Sequence, residues 1–508
     1  MQSSDGKTAI TCMLLAALRA RGVPVQPFKV GPDFIDPGYH TRFAGVASRN
    51  LDTWLMGDDG VIDEVLAAGR DRVSIVEGVM GLFDGSDAKS DEGSTMALAR
   101  LLDRPVVLVV TAKKSGRSLA VALRGFIQEA GSNRIAGVIL SGVSGSSHTD
   151  YLREAIEPLA LPVLGALPFC PDLAWPERHL GLQASQERPL PSWQALASLA
   201  EQYLDVNAIL EVSRRSVTPL GSRPWSMPRL RGRPGRDPEG LLAADRMYSS
   251  SDGSSSLRDE RNEFKVSLAS EAGSTGAKLR IGVAMDEVFH FYYQANLDYL
   301  TKAGAELVKF SPLQDSALPP NLDALFIGGG FPEVFAPQLA ENNSMRAELR
   351  SAIEQGLNCY AECGGLMLLT EELITLDQKV YPMAGVIPGA VQMTESLKNF
   401  GYCVCSQSKT SSASASLPPS SPNSRNYGGQ DGATGSDYRY HGHEFHHSLW
   451  LGEEERANLW SVRRKRSGNC RREGFFAPNL HASYVHLHFR TSGAVIEPFL
   501  NRERSEAL

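Results

Sequence analysis

No apolar run in the 508 residues approaches the ~18 needed to carry a helix across a bilayer, which excludes a membrane span from expectation. Positive charge is not in excess either: 51 Lys and Arg against 58 Asp and Glu leave a formal charge of -7, with no basic footprint for nucleic acid. The seven cysteines are odd in number and irregularly spaced, arguing for a reducing compartment rather than a disulfide framework. Neither Cys359 with Cys363 nor Cys403 with Cys405 has a second pair at zinc-site spacing, so no structural metal is expected. The first residues carry neither a secretory apolar region nor an Arg/Ser-rich transit pattern, and the expected location is cytoplasmic. What is present is a soluble, globular composition, 42% hydrophobic and 21% charged, in a chain too long for one core.

One stretch organises the rest: Tyr360-Ala361-Glu362-Cys363-Gly364-Gly365-Leu366-Met367. A strand-like lead, then Cys-Gly-Gly, then an apolar helical run reads as a nucleophile elbow, in which the N–H after the nucleophile, here that of Gly364, donates to an oxyanion. A thiolate attacks an amide carbonyl once a histidine lowers its pKa. An isolated cysteine of this kind would be better read as buried packing. Its company decides otherwise.

The amino-terminal part opens Asp5-Gly6-Lys7-Thr8 and continues as a helical pattern to Arg21. Gly-Lys-Thr at a helix start is the second half of a P-loop, with backbone N–H groups around phosphate, Lys7 on the β/γ oxygens and Thr8 on magnesium. The first glycine of the full pattern would fall at Met1, and no strand precedes it, so the start reads as cut short. A strand at 25–30 runs into Gly31-Pro32-Asp33-Phe34-Ile35-Asp36-Pro37-Gly38, and a buried strand at 74–77 delivers Glu77. Ligands of open α/β sheets bind at the carboxyl ends of strands, so Lys7, Asp33, Asp36 and Glu77 are expected to converge. Carboxylates beside a triphosphate need a divalent cation between them, so Mg2+ is expected with ATP. Strands at 105–112, 135–143 and 162–168 alternate with helices, predicting a mostly parallel, doubly wound sheet. In Pro176-Glu177-Arg178-His179-Leu180-Gly181-Leu182, substrate binding and a domain-interface salt bridge are equally good readings of Arg178 and His179.

Residues 214–278 are rich in Ser, Arg, Gly and Pro and predict a disordered linker. A second α/β domain is expected over 279–500, with low-complexity or basic inserts near 406–437 and 463–473 that protrude and carry no chemistry. The turn at Gly328-Gly329-Gly330 offers main-chain N–H groups, from Gly329 and Gly330, to the oxyanion at Cys363. Residues 482–489 alternate like a strand and place His486 and His488 on one face; His486 is the expected base for Cys363, with His488 the fallback. The imidazoles of 441–447 lack the helical spacing of a zinc site and suggest a substrate-facing strand.

The motifs KVGPDFIDPGYH (29–40), NLDTW (50–54), VEGVMGLFDG (76–85), PERHLGL (176–182), GGGFPE (328–333), AECGGLM (361–367), GHEFHHS (442–448) and SYVHLHF (483–489) together resemble the family of glutamine-dependent cobyrinic acid a,c-diamide synthases, whose aerobic counterparts act on hydrogenobyrinic acid. The resemblance covers about 4–213 and 279–500. It implies an amino-terminal P-loop domain like dethiobiotin synthetase (1–213), binding ATP and the corrinoid, and a carboxy-terminal class I glutamine amidotransferase domain. It implies further that Gly6, Lys7, Thr8, Lys29, Asp33 and Asp36 serve the nucleotide, that Thr8 and Glu77 hold Mg2+, and that Cys363 with His486 releases ammonia from glutamine. Ammonia then meets a corrinoid carboxylate activated as an acyl phosphate, twice over. The partners implied are small molecules, and a homodimer is allowed.

Two departures stand in the residues. Ser4 and Asp5 occupy P-loop positions where a glycine and a small residue are expected, and His488 stands two residues after His486 where many relatives of this fold carry a glutamate. The Ser-rich inserts suggest a eukaryotic gene; if the start is also truncated, a plastid location is open beside the cytoplasmic one. Other readings are cobyric acid synthase, a nickel-sirohydrochlorin amidase, or an inactive nucleotide-binding paralogue motivated by Asp5.

Overall fold

The helix Lys7–Ala20 is buried almost all round, with Cys12 through Leu18 each inaccessible or nearly so, and such a helix has to sit inside a layer rather than on it. The computed structural model describes residues 5–86, 88–131, 134–173, 175, 177–178, 181–182, 190–214, 279–407, 439–452 and 456–500. Around the Lys7–Ala20 helix lie two parallel three-stranded sheets. One orders Arg49–Leu51, Val25–Val30 and Val73–Glu77; the other orders Val106–Thr111, Ile135–Val143 and Val163–Pro168. The expectation of parallel strands alternating with helices is met, but among the described residues the strands form two ladders rather than one continuous sheet.

The carboxy-terminal half is built on a six-stranded sheet. Its order is Glu306–Phe310, Arg280–Ala284, Ala324–Ile327, Asn358–Glu362, Leu480–Ser483 and Phe475–Ala477, parallel except for the last pair. A five-stranded antiparallel sheet packs with it, pairing Asn399–Gln407 with Arg439–His446 and with Trp460–Arg464. Residues Met1–Val217 and Ala277–Leu508 fall into one compact unit, so side chains of the two halves meet directly. The expected linker of 214–278 lies outside the described residues beyond Arg214, which ends the helix Val206–Arg214. The insert near 406–437 likewise lies outside them after Gln407.

The structure corrects several expectations. Residues 463–473 are not a protruding loop: Trp460–Arg464 and Cys470–Glu473 pair as a hairpin that ends in a buried acid. That acid, Glu473, accepts from Ser483 Oγ at 2.7 Å and from the Tyr484 amide at 2.6 Å, fixing the turn that leads to His486. The alternation over 482–489 is broken as well, into Leu480–Ser483 and His486–Leu487 in different sheets, with a helix starting at Phe489. Of the PERHLGL segment, only short paired stretches at Glu177–Arg178 and Gly181–Leu182 are described; His179 and the Arg178 side chain lie outside the description. No helix among the described residues is long and apolar enough to cross a membrane.

The halves are joined by polar links. Asp52 caps the helix Thr53–Ala68 by accepting from the Trp54 and Leu55 amides, a cap worth about 1 kcal/mol, and its other oxygen accepts from Tyr402 of the second half at 2.7 Å. Beside it, His441 stacks on Trp54 at 3.9 Å and Lys465 lies 4.2 Å from the centre of the same indole while bonding Glu92 at 2.6 Å. One imidazole of the 441–447 cluster, that of His441, is therefore packed between the halves.

Candidate active site

Strand Asn358–Glu362 ends at Cys363, whose φ of 47° and ψ of -101° lie where side chains rarely go, and helix Gly364–Leu369 follows at once. The turn is the expected elbow, and glycines make it feasible. A Cβ on Gly365 would come within 2.2 Å of the Ile327 carbonyl oxygen, and one on Gly364 within 2.9 Å of the Gly330 amide nitrogen. The Gly329-Gly330 backbone thus lies against the elbow. A Cβ on Gly329 would also lie 2.8 Å from His486 Cε1, so the glycine turn, the elbow and the expected base share one place.

His486 and Cys363 are both buried, and the sulfur is close enough to the imidazole to favour its charged form. The other partner of the imidazole was not anticipated. Glu362, the residue before the nucleophile, takes the His486 Nδ1 at 3.1 Å. Glu362 also accepts from the Tyr360 hydroxyl at 2.7 Å and from the Leu487 amide at 3.2 Å, which fixes its orientation. Burial works against a charged imidazole here, but Cys363 and Glu362 outweigh it and raise His486 to about 10. The imidazolium form of His486 is thus favoured between the Cys363 sulfur and the Glu362 carboxylate. The fallback, His488, is elsewhere: burial lowers it to about 4, and its ring lies 5.6 Å from Tyr293. The glutamate missing two residues after His486 is replaced in space by Glu362. Its one sequence signal is its place beside the cysteine, and neighbours on a strand are expected to point to opposite faces.

The second cluster sits at the start of the Lys7–Ala20 helix. Gly6 adopts φ 88° and ψ 19°, a left-handed turn, and a Cβ there would come within 3.0 Å of Ser141 Oγ on strand Ile135–Val143. Thr8 Oγ1 donates to Glu77 Oε1 at 2.8 Å, Lys29 Nζ donates to the same oxygen at 2.9 Å, and His40 Nε2 bonds Glu77 Oε2 at 2.6 Å. Lys29 also bonds Asp36 at 2.5 Å, with Asp33 at 3.9 Å. Burial opposes the charge on both Lys29 and Glu77, yet their mutual attraction, with His40 and Asp36, wins: the ammonium is held above its ordinary value and the Glu77 carboxylate well below its own. Asp36 is raised instead, by burial and by Asp33 beside it. Lys7 is lowered by burial and by the nearby charge of Lys29. Lys7, Lys29, Asp33, Asp36, Thr8 and Glu77 therefore do converge. His40, the last residue of KVGPDFIDPGYH, joins them; reading the motif through to its final residue was the available signal.

The Thr8 hydroxyl and the Glu77 carboxylate are hard oxygen donors of the kind that suits a divalent cation such as Mg2+. Among the described residues no group of three or more His, Cys, Asp or Glu side chains forms a metal cage. Phosphate oxygens and water would have to complete the shell, which is how Mg2+ is usually held.

The two clusters, one on each half, define a glutamine amidotransferase joined to a nucleotide-binding domain. Residues 280–494 match the CobB/CobQ-like glutamine amidotransferase domain, and residues 1–182 match the CobQ/CobB/MinD/ParA nucleotide binding domain. Proteins named cobyrinate a,c-diamide synthase are similar over nearly the whole chain. The one from Listeria innocua is 36% identical, covering 97% of this chain and 96% of the relative; that from Synechococcus sp. is 37% identical over 98% and 96%, and that from Salmonella typhimurium 36% over 99% and 96%. The chain belongs to the cobyrinate a,c-diamide synthase family.

Proposed function

We propose that this protein is a glutamine- and ATP-dependent ligase that converts the a and c carboxylates of cobyrinic acid, or of its cobalt-free counterpart, to carboxamides in cobalamin biosynthesis. The observation that carries the reading is a buried Cys363–His486–Glu362 constellation in the same compact unit as the Thr8–Glu77–Lys29 cluster. One makes ammonia, and the other is built to hold a nucleotide.

Cys363 attacks the side-chain amide carbon of glutamine as a thiolate, with His486 holding the thiol proton. The tetrahedral oxygen turns toward the backbone amides of Gly364 and the Gly329-Gly330 turn. When the C–N bond breaks, His486 gives its proton to the departing nitrogen, which leaves as ammonia, and a glutamyl thioester remains on sulfur. Water, deprotonated by His486, cleaves the thioester to glutamate and restores the thiol. Glu362 keeps Nδ1 protonated, so that Nε2 is the ring nitrogen left to serve the thiol.

At the other site the Gly6–Thr8 backbone and Lys7 would bind the ATP phosphates, and Thr8 and Glu77 would hold Mg2+, which would neutralise phosphate charge. Lys29 holds Asp36 and Glu77 in place by direct ion pairs at 2.5 and 2.9 Å. The acceptor carboxylate attacks the γ-phosphorus, ADP departs, and the acyl phosphate formed is open to ammonia; the C–N bond forms as phosphate leaves. A carboxylate without this activation has no leaving group for ammonia to displace.

Purified protein with cobyrinic acid, ATP, Mg2+ and glutamine should yield mono- and then diamide by mass spectrometry. Absence of any amide with either glutamine or ammonium chloride would overturn the reading. Formation of amides only on an already diamidated corrinoid or on a nickel tetrapyrrole would move the activity to a neighbouring class.

A further inference from the structure

Two reactions in one chain waste glutamine unless each senses the other, and one loop of this protein touches both sites. Residues 31–38 join strand Val25–Val30 to helix Asp36–Ala44. The loop is held tightly at the nucleotide side. Asn50 Nδ2 donates to the Gly31 and Asp33 carbonyls at 2.8 and 2.7 Å, Asp33 Oδ1 accepts from the Ile35 amide at 2.8 Å, and Asp36 bonds Lys29. Between the two aspartates, Phe34 points the other way. Its ring stacks on Tyr293 at 4.6 Å and on Phe291 at 5.2 Å, and lies tilted over His486 at 4.9 Å.

The second half meets that ring with matching parts. Phe291 pairs with Gly329, in the turn that lies against His486. Phe331, in the same glycine segment, is buried in the hydrophobic core of the first half. Next to Phe34, the Tyr293 hydroxyl is buried with no hydrogen-bond partner among the described residues; so are Nδ1 of His488, whose ring neighbours Tyr293, and Nδ1 of His443, the cross-strand partner of His486. Buried polar atoms without partners are costly, and a small polar molecule beside them would satisfy them. The charges of Asp52, Glu362 and Asp33 all act on the buried Tyr293 hydroxyl.

We propose that Phe34 is a positioning residue that couples the two sites: it holds the His486 imidazole against Cys363 and, with Tyr293, walls the path of ammonia toward the acceptor, so that engagement of the Asp33–Asp36 loop is felt at the thiol. The inference rests on the proposed two-site amidation. Asp33 and Asp36 are separated from Phe34 by no more than one residue, so a shift of the acid pair on binding nucleotide or acceptor moves the ring with it. Ammonia released at Cys363 would pass the Tyr293 hydroxyl, which can give or take a hydrogen bond.

The test measures glutamate release with and without ATP plus cobyrinic acid, and amide formed per glutamate. In the unaltered protein the acceptor mixture should stimulate glutamate release, with close to one amide per glutamate. Phe34→Ala should cut the stimulation by about tenfold, within the usual span of coupling between sites, and release glutamate in excess of amide. Amidation from ammonium chloride should keep its rate and its KM for ammonia. Phe34→Leu, which preserves apolar bulk and guards against a folding failure, should fall between the two. Tyr293→Phe should lower amide per glutamate without changing the rate of glutamate release. Stimulation and stoichiometry unchanged in both Phe34 variants would overturn the coupling, and an unaltered protein that shows no stimulation at all would do the same. If the unaltered protein forms no amide even from ammonium chloride, it is the two-site function that fails.

Discussion

Glu362→Gln is the perturbation that most directly probes the thiol site. The substitution keeps the shape of the side chain and removes its charge. In the present structure Glu362 gives His486 a single charge-assisted hydrogen bond at 3.1 Å. Such bonds contribute about 1.5–3 kcal/mol, and at about 1.4 kcal/mol per factor of ten this is roughly a ten- to hundredfold fall in kcat for glutamine hydrolysis. A glutamine amide facing Nδ1 can also donate to it, which would put the ring proton on the side needed by the thiol and push the loss toward the upper end. The pH profile should move as well. His486 is raised to about 10 with help from Glu362, so its imidazolium form persists through neutral pH; in the variant the alkaline limb of glutamine hydrolysis should shift to lower pH. Glutaminase rates across pH 6–11, paired with amidation from ammonium chloride, check this. Full activity with an unmoved alkaline limb would refute the role given to Glu362, while loss of the ammonia-dependent reaction too would show general damage.

Cys363→Ala should abolish glutamine use while sparing ammonia-dependent amidation, read by amide yield with each nitrogen source. Glu77→Gln should remove amidation from either source yet leave basal glutamate release, because its buried carboxylate is shared by Thr8, Lys29 and His40. Gly330→Ala would drive a Cβ to 1.7 Å from the Val288 carbonyl oxygen, an overpacking worth about 1–3 kcal/mol or more, visible as a lower urea midpoint together with impaired glutamine hydrolysis. Stability should carry the His486 signature also: a raised folded-state pKa stabilises fully below the ordinary value of 6.5 and is lost as pH rises through about 10, so the gap in urea midpoint between the unaltered protein and His486→Ala should shrink across that window.

Much of this site could be read from residues because its parts are local. The Cys363 elbow needs only a strand, two glycines and an apolar helix in succession, and the Gly6–Thr8 helix start needs only three residues. What escaped reading depends on distant partners. Glu362 faces a histidine 124 positions away through a strained turn, and Phe34 reaches rings in the other half of the chain. The hairpin at 460–473 was hidden by its basic composition, although its one buried acid, Glu473, shapes the approach to His486. His441, one imidazole of the 441–447 pattern, stacks on Trp54 of the other half, a contact that the local pattern does not announce.

The central claim is that ammonia made at Cys363 is delivered within the same molecule to an activated corrinoid carboxylate. Amide-15N glutamine supplied with ATP, Mg2+, cobyrinic acid and an equal concentration of unlabelled ammonium tests it in one mass spectrum. The account predicts a diamide in which 15N predominates at both positions and a Cys363→Ala product that is unlabelled; a diamide in which 15N is diluted to the bulk ratio, or no diamide at all, would contradict it.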